Sequence, residues 1–474
     1  MKNPLSRGSV VLLVLVFGGI FFGLLMALSG FVLSENRAQD VTRARTEGLS
    51  IAEAGLDYYR WFLTHFPGNT QNGTGHDGPY VITYADPESG TAGTYTLSIT
   101  SNTSCGVVQS MDVTSKGVPD DAPNISTTLV ARFSLPSVAT YSYIVGSSVW
   151  AGADRIINGP YHSNGGIRMD GTANAPVTSS LSSWNCTSSF GCSPAQPTAP
   201  GVLGIGGNQT LWNYPTPQID FAGIAANFSA LKTTASASGI YLARISTSGG
   251  HNPNPNIGYH LIFNGDSTVT VKKVTAVTAL SVNPVNSTSG STDYALIRTE
   301  STFQTLPLPS QCGVIFVEDN TWIEGTIPKK ITVVAANVTS VGITPDVFLK
   351  NNIVYSTYDG SVGLTVISAS DVLITPDSPM NMTLNGIFIA QGGAFGRNLY
   401  DCPSAYEPRG TLTILGTTVS NLRTGTRWSY GCNNSSDAGY QTRIDAYDRQ
   451  NAGNPPPFTP SLSTQWEFIN WRQL

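Results

Sequence analysis

Charge is the scarcest ingredient of this chain. Only 12% of its 474 residues are Asp, Glu, Lys or Arg, about half the share in ordinary soluble domains. The net charge is −5, and no basic stripe runs through the sequence. That excludes the electrostatic footprint of a nucleic-acid binder. Cysteine is scarce as well: Cys105, Cys186, Cys192, Cys312, Cys402 and Cys432 are the whole set. None forms a C-x-x-C pair and none lies at zinc spacing from a histidine, so no metal is expected. Catalytic signatures are missing too. There is no P-loop, no G-x-G-x-x-G between strand and helix, no G-x-S-x-G, no H-E-x-x-H and no EF-hand, and no cofactor is implied. "GGAFGRN" (392–398) is glycine-rich, but no helical segment follows it to hold a phosphate.

What is present begins at the N-terminus. A leader carrying Lys2 and Arg7 ends at Gly8, and the 25 residues from Ser9 to Leu33 carry no charge. As a helix they span roughly 37 Å, enough to cross a hydrocarbon core of ~30 Å. The basic leader places the N-terminus inside and residues 34–474 outside the cytoplasmic membrane, in a single pass. Ala27-Leu28-Ser29 offers a signal-peptidase site after Ser29. However, the apolar run before it exceeds the usual core of about 7–15 residues, and the helical pattern continues past it. Ala52, Gly55, Leu56, Tyr59, Leu63 and Phe66 then recur at three- and four-residue steps, which is an amphipathic helix, and "FPGN" (66–69) stops it. One helix over residues 9–66 is therefore predicted. Residues 67–136 contain four alternating runs, "GPYVITYA", "TYTLSIT", "SMDVTSKG" and "STTLVARFSL". These predict a small antiparallel sheet laid on the helix, an α+β unit.

A basic leader ending in Gly8, an uncharged helix and then "SENRAQDVTRARTEGLSIAEAGLDYYRW" (34–61), with "AEAG" at 52–55, resembles the type IV pilin-like proteins. The closest resemblance is to the PilX N-terminal class of minor pilins. It covers residues 1–135. It implies that a prepilin peptidase cuts between Gly8 and Ser9, and that the helix packs against other pilin-like subunits in a filament or its initiating tip. Two residues depart from the pattern. Many pilins begin the mature chain with Met or an aromatic residue, where this chain has Ser9. Major pilins carry Glu at the fifth mature position, where it can neutralise a neighbour's terminal amine in lipid; here that position is Leu13. A tip position or a permanent membrane anchor fits this better than the filament shaft.

From residue 137 to 445 short β-branched runs dominate, several at roughly 20-residue intervals: "GVIFVED" (313–319), "KITVVAA" (330–336), "GLTVISA" (363–369), "NGIFIAQ" (385–391) and "LTILGTTVS" (412–420). Such spacing suits a parallel β-helix, with a β-sandwich as the alternative. "IINGPYHSNGGIRMDG" (156–171) is expected to be its opening rung, and with "NGIFIAQGG" it resembles the β-helical regions attached to some PilX-like proteins. Residues 180–255 read as an insertion, with a helix over 220–235. The segment 446–474 reads as a tail whose aromatic end plugs or flanks the solenoid.

Behind an export segment the cysteines are expected to be disulfide-bonded, Cys186 with Cys192 foremost and Cys402 with Cys432 second. Candidate ligand residues are few. His162 has Asp154 and Asp170 near it in sequence and could serve acid–base chemistry or hold a metal; satisfying a polar turn is the simpler role. Glu318, Asp319 and Glu324 lie around one strand pair, with Asp359, Asp371 and Asp401 further on. Aligned across rungs, such acids could form the paired carboxylates of a glycan-cleaving enzyme; as solvated turns they have no such role. The sequence favours a membrane-anchored display protein for pilus assembly, adhesion or partner binding, with a surface glycan or protein as ligand. A membrane-tethered polysaccharide-active enzyme is the alternative.

Overall fold

The structure, a computed structural model, describes residues 7–86, 90–223, 225–245, 256–287, 289–340, 342–400, 405–428 and 438–474. The chain divides into two compact units. One comprises the residues up to Thr100 with Met111–Phe133 and Phe468–Leu474. The other comprises Ser101–Ser110 and Ser134–Glu467.

The first unit is built on α1, which spans Arg7–His65 without a break. No proline interrupts it before Pro67, where a Pro-Gly pair stops it. Its halves differ. The large apolar side chains from Val10 to Leu33 are all exposed. Further on, Ala44, Ile51, Ala52, Leu56, Tyr59, Phe62 and Leu63 are buried along one face. Phe66, expected on that face, lies past the end of the helix and is half exposed.

That face meets a sheet ordered β1 (Tyr80–Asp86), β2 (Gly90–Ser104), β3 (Val107–Pro119), β4 (Thr127–Ser134) and then the strand Glu467–Gln473. Glycine lets backbone approach backbone: a Cβ on Gly117 would stand 2.1 Å from the Gly48 carbonyl oxygen, and one on Gly55 2.4 Å from Ser115 Oγ. Thr127 Oγ1 donates to the Arg45 carbonyl at 3.0 Å, and Phe133 meets Tyr59 edge-on. In the C-terminal segment, Asn451 Nδ2 donates to the Val362 carbonyl and Thr459 Oγ1 bonds Thr365 Oγ1 in the second unit, while its last residues join the first. Its alternating "EFINWRQ" supplies the fifth strand of this sheet, and Leu474 N–H donates to the Thr128 carbonyl.

The second unit is almost all strand, stacked in parallel ladders. In the first ladder Ile240–Leu242 pairs with Val314–Val317, which pairs with Lys330–Ala335, then Gly363–Ser368, then residues 387–390 and 417–420. It continues onto Tyr143–Val145, Tyr161–Ser163, Val177–Ser179 and Trp212–Asn213. A second ladder runs from Gly258–Asn264 through Asn320–Ile327, Val347–Tyr355 and Val372–Ile374 to Phe395–Gly396. A third joins residues 382–386, 411–415, Ala438–Ala446, Arg155–Asn158 and Thr172–Ala173. Val, Ile and Leu fill the positions between them: Val317, Ile323, Val333, Leu349, Val366, Ile374, Leu384 and Ile414 are all essentially inaccessible.

The order of the stack is not the order of the sequence. Residues 156–171 do not open it. They lie within it, with 143–145 and 443–446 on one side and 172–173 and 177–179 on the other. The stretch 180–255 is not wholly an insertion either. Only Ser183–Pro200 forms a separate hairpin, whereas Val202–Leu203, Trp212–Asn213 and Ile240–Leu242 join the ladders because their apolar side chains have a core to enter. The helix here is Phe228–Ser238, later than expected, and starts where the Asn227 side chain accepts from Ala230 N–H. A long hairpin, Thr268–Asn283 with Ser291–Pro307, pairs on Gly258–Asn264. The two ends of the unit meet: Ser137 and Ser461 form an antiparallel bridge, and Leu462 N–H donates to the Pro136 carbonyl.

Two disulfides are present among the described residues. Cys186–Cys192 closes the Ser183–Pro200 hairpin. Cys105, in the β2–β3 turn, is bonded to Cys312 across a sequence separation of 207. Cys402 and Cys432 lie outside the described residues.

Candidate functional site

A polar recess in the second unit lies where three turns of the second ladder face the long hairpin. Asn320, Asp346 and Asp371 occupy successive turns, and each caps the next. Asn320 Oδ1 accepts from Asp346 N–H at 2.9 Å, Asp346 Oδ1 from Asp371 N–H at 2.9 Å, and Asp371 Oδ1 from Ala394 N–H at 2.6 Å. Asx side chains make such local backbone bonds readily, so the column ties successive turns of the stack together. From the hairpin side comes Asp293. Its Oδ2 accepts from Asn398 Nδ2 at 2.8 Å and Tyr400 Oη at 3.0 Å, and its Oδ1 from Ala295 N–H.

The recess has a volume of about 260 Å³ and is lined further by Asn256, Asn286, Tyr294 and Phe348. Burial, then the charges of Asp371 and Asp293, push the Asp346 carboxyl up to about 7. Burial and Asp293 raise Asp371 as well. Like charges held together out of water favour sharing a proton. Near neutral pH the Asp346 carboxyl therefore has a proton to donate, with amide and phenol groups around it. It can exchange hydrogen bonds with a hydroxyl-rich ligand and can donate or accept a proton. Among the described residues, no group of three or more His, Cys, Asp or Glu is placed to hold a metal ion.

Of the residues singled out from sequence, only Asp371 belongs to this recess. His162 is buried, its Nδ1 2.8 Å from Thr178 Oγ1 and its Nε2 3.0 Å from Asn164 Oδ1. Burial lowers its pKa. Asn164 in turn bonds both backbone groups of Ile219, so the histidine props a loop. Asp170 takes Trp150 Nε1 and Arg168 Nε, and Asp154 takes Arg443 and Arg427. Glu318, Asp319 and Glu324 each have their own partners. Lys232 Nζ reaches Glu318 at 2.6 Å. Asp319 accepts from Ile245 N–H and lies 3.4 Å from Arg244, and burial raises its carboxyl to about 6. Glu324 faces His260 Nε2 at 3.0 Å, too poorly aligned for a full hydrogen bond, while Glu300 takes His260 Nδ1 at 2.8 Å and Lys272 at 2.6 Å. Contact with His260 lowers the Glu324 pKa. Asp359 is an exposed turn acid bound to Ser361, and Asp401 lies outside the described residues. Gly8 and Ser9 stand in the first turn of α1.

Asp293 and Asp346 were not singled out from sequence. The available signal was the spacing of Asn320, Asp346 and Asp371, near 25 residues, one polar residue before a β-branched run each time. Asp293 carries no such signal, because a hairpin delivers it.

No family model matches the chain, and no curated protein matches it. Among solved structures, the chain is similar to the competence-associated pilin ComZ from Thermus thermophilus, with 13% sequence identity and a TM-score of 0.30 over 91% of this chain and 97% of that one.

Proposed function

We propose that the protein is an exported, membrane-anchored, pilin-like protein of the PilX type, displaying a parallel β-helical ectodomain that contacts a surface, a glycan or a partner protein. The observation that carries the reading is the division of α1. Its exposed apolar half is long enough for a bilayer, and it continues without a break into a half packed on an antiparallel sheet. Three parallel ladders stepping from rung to rung support the β-helical reading of the second unit. Two disulfides fit an oxidising compartment. Processing by a prepilin peptidase would leave Ser9 as the first residue, at the very start of the helix. Leu13 in place of an acidic residue favours a tip position or a lasting anchor over the filament shaft.

Fractionation together with mass spectrometry of the native N-terminus tests this. The expected result is a membrane-bound protein beginning at Ser9, with residues 34–474 accessible from outside. A soluble protein beginning at Gly30 would overturn it. An intact Met1 would keep the anchor and remove the processing.

The recess at Asp346 favours a second reading, a membrane-tethered enzyme acting on polysaccharide. A carboxyl with a pKa of about 7 beside two further carboxyls has the protonation states that general acid–base cleavage of a glycosidic bond requires. Turnover of a polysaccharide by the parent protein, lost in folded Asp346→Asn, would establish the enzyme. Binding without turnover would establish display.

A further inference from the structure

Apolar side chains fill most inward positions of the ladders in the second unit. Where Arg155–Asn158 stacks on Ala438–Ala446, the inward positions carry charge. Arg155 Nε lies 2.6 Å from Asp445 Oδ2, and each side chain is only 3% exposed. The guanidinium also rests 4.0 Å from the centre of the Tyr143 ring and 5.7 Å from that of Tyr161. Beside it Asp154 receives Arg443 at 2.6 and 3.0 Å and Arg427 at 3.1 Å. Every one of these pairs crosses the same seam: Asp154 and Arg155 come from the rungs of residues 143–213, and Arg427, Arg443 and Asp445 from the last rung. In the neighbouring rungs the positions in register with Arg443 hold Leu412 and Met382, and those in register with Asp445 hold Ile414, Leu384 and Ile353, all buried.

The rungs of residues 143–213 also have a core of their own, built from Val145, Val149, Ile157, Ile167, Met169 and Val177 with both tyrosines. They are thus a packet that can bury its own apolar surface and must then find one partner rung. Apolar rung ends are interchangeable, because any hydrophobic edge stacks on any other, including the same edge of a second copy. Inward-pointing charge removes that freedom. A buried ion pair adds little net stability over well-packed apolar side chains, and its best-attested use is to fix register.

We propose that the Arg155–Asp445 and Asp154–Arg443–Arg427 pairs are a docking key, which seats the packet of residues 143–213 on the last rung of its own chain in one register and excludes stacking on other edges or other copies. An offset of one residue would bury Arg155 against an aliphatic neighbour and leave Asp445 unpaired.

Cysteine cross-linking on the full chain in detergent tests the key. Ile156 and Ile444 are direct neighbours in the ladder, so the pair Ile156→Cys/Ile444→Cys reports the native register within one chain. Ile156→Cys/Thr442→Cys reports a slip of two residues. Peptide mapping separates both from links between copies carrying two different tags. In the parent background the native link should dominate. In Arg155→Met/Asp445→Leu, slipped or inter-copy links should rise at least fivefold. Arg155→Asp alone should abolish the native link, and Arg155→Asp/Asp445→Arg should restore it. An unchanged partition of links in the Met/Leu variant would overturn the key, as would failure of the charge-reversed pair to regain the native link while the Met/Leu variant keeps it.

Discussion

Phe133 and Phe468 pack ring to ring, with centroids 4.5 Å apart, although Ser134–Glu467, all of the second unit except Ser101–Ser110, lies between them in the sequence. Each belongs to one of two neighbouring strands, β4 and Glu467–Gln473, in the sheet against α1. Ser134–Glu467 is therefore an insertion between adjacent strands, and its ends meet at the Ser137–Ser461 bridge.

Excision follows as a test. Joining Pro136 to Leu462 through a short Gly/Ser linker, with Cys105 replaced by Ser, should leave α1 and its sheet folded. Far-UV circular dichroism and cooperative thermal unfolding in detergent check it; loss of cooperativity would show that the sheet depends on the insertion. Tolerance is expected because chain ends that meet at a surface are where insertions succeed.

The helix–sheet contact should be intolerant of even one methyl group. Gly117→Ala places a carbon 2.1 Å from the Gly48 carbonyl oxygen, and relieving it should cost about 1–3 kcal/mol. Gly68→Ala, with open space around it, should change stability little. Urea unfolding followed by tryptophan fluorescence compares the two.

Removal of the disulfides should be unequal. Peptide mapping without reductant should recover both Cys105–Cys312 and Cys186–Cys192. By chain entropy the long loop constrains the unfolded chain by roughly 5 kcal/mol and the short one by roughly 2. Paired Cys→Ser replacements at 105 and 312 should therefore lower the unfolding midpoint more than those at 186 and 192.

Asp346 should make stability depend on pH in an unusual direction. Its carboxyl is raised from 3.8 to about 7, so between those values the folded protein holds a proton that the unfolded chain has lost. The contribution is present at low pH and disappears as pH rises from about 4 to about 7. Asp346→Asn keeps the acceptor for Asp371 N–H and removes the titration. Its unfolding midpoint should fall less steeply over that range and exceed the parent's at pH 8. Asp319, raised to about 6, leaves a smaller slope at lower pH.

The parts of the molecule that could be read in advance are those where one segment states its own requirement. An uncharged run, a three-and-four-residue apolar step and a Pro-Gly stop specify α1 by themselves, and the alternation in β1 to β4 does the same. "KITVVAA" and "GLTVISA" announced strands because a strand buried on both faces is a continuous β-branched run. What could not be read was adjacency. Parallel rungs pair through backbone bonds common to every residue, so nothing in residues 143–145 points to 418–420. Thr268–Asn283 does not declare itself as a strand, because only four of its sixteen residues are buried and its composition is mixed. In the site, Asp371 could be noticed as an isolated acid. That Asp293 would face it depends on a hairpin whose position the local sequence does not encode.

The stacking of an early rung on a late one has a consequence for biosynthesis. Tyr141 and Thr417 are bonded across 276 residues, so the rungs of residues 143–213 lack their final neighbour until translation has passed Ala446. A product truncated anywhere before that point keeps an open edge, with Arg155 lacking its counter-charge. Such an edge is what proteases and chaperones engage. The topology thus acts as a completeness check, in which only a chain extending past Ala446 can cover the Arg155 edge.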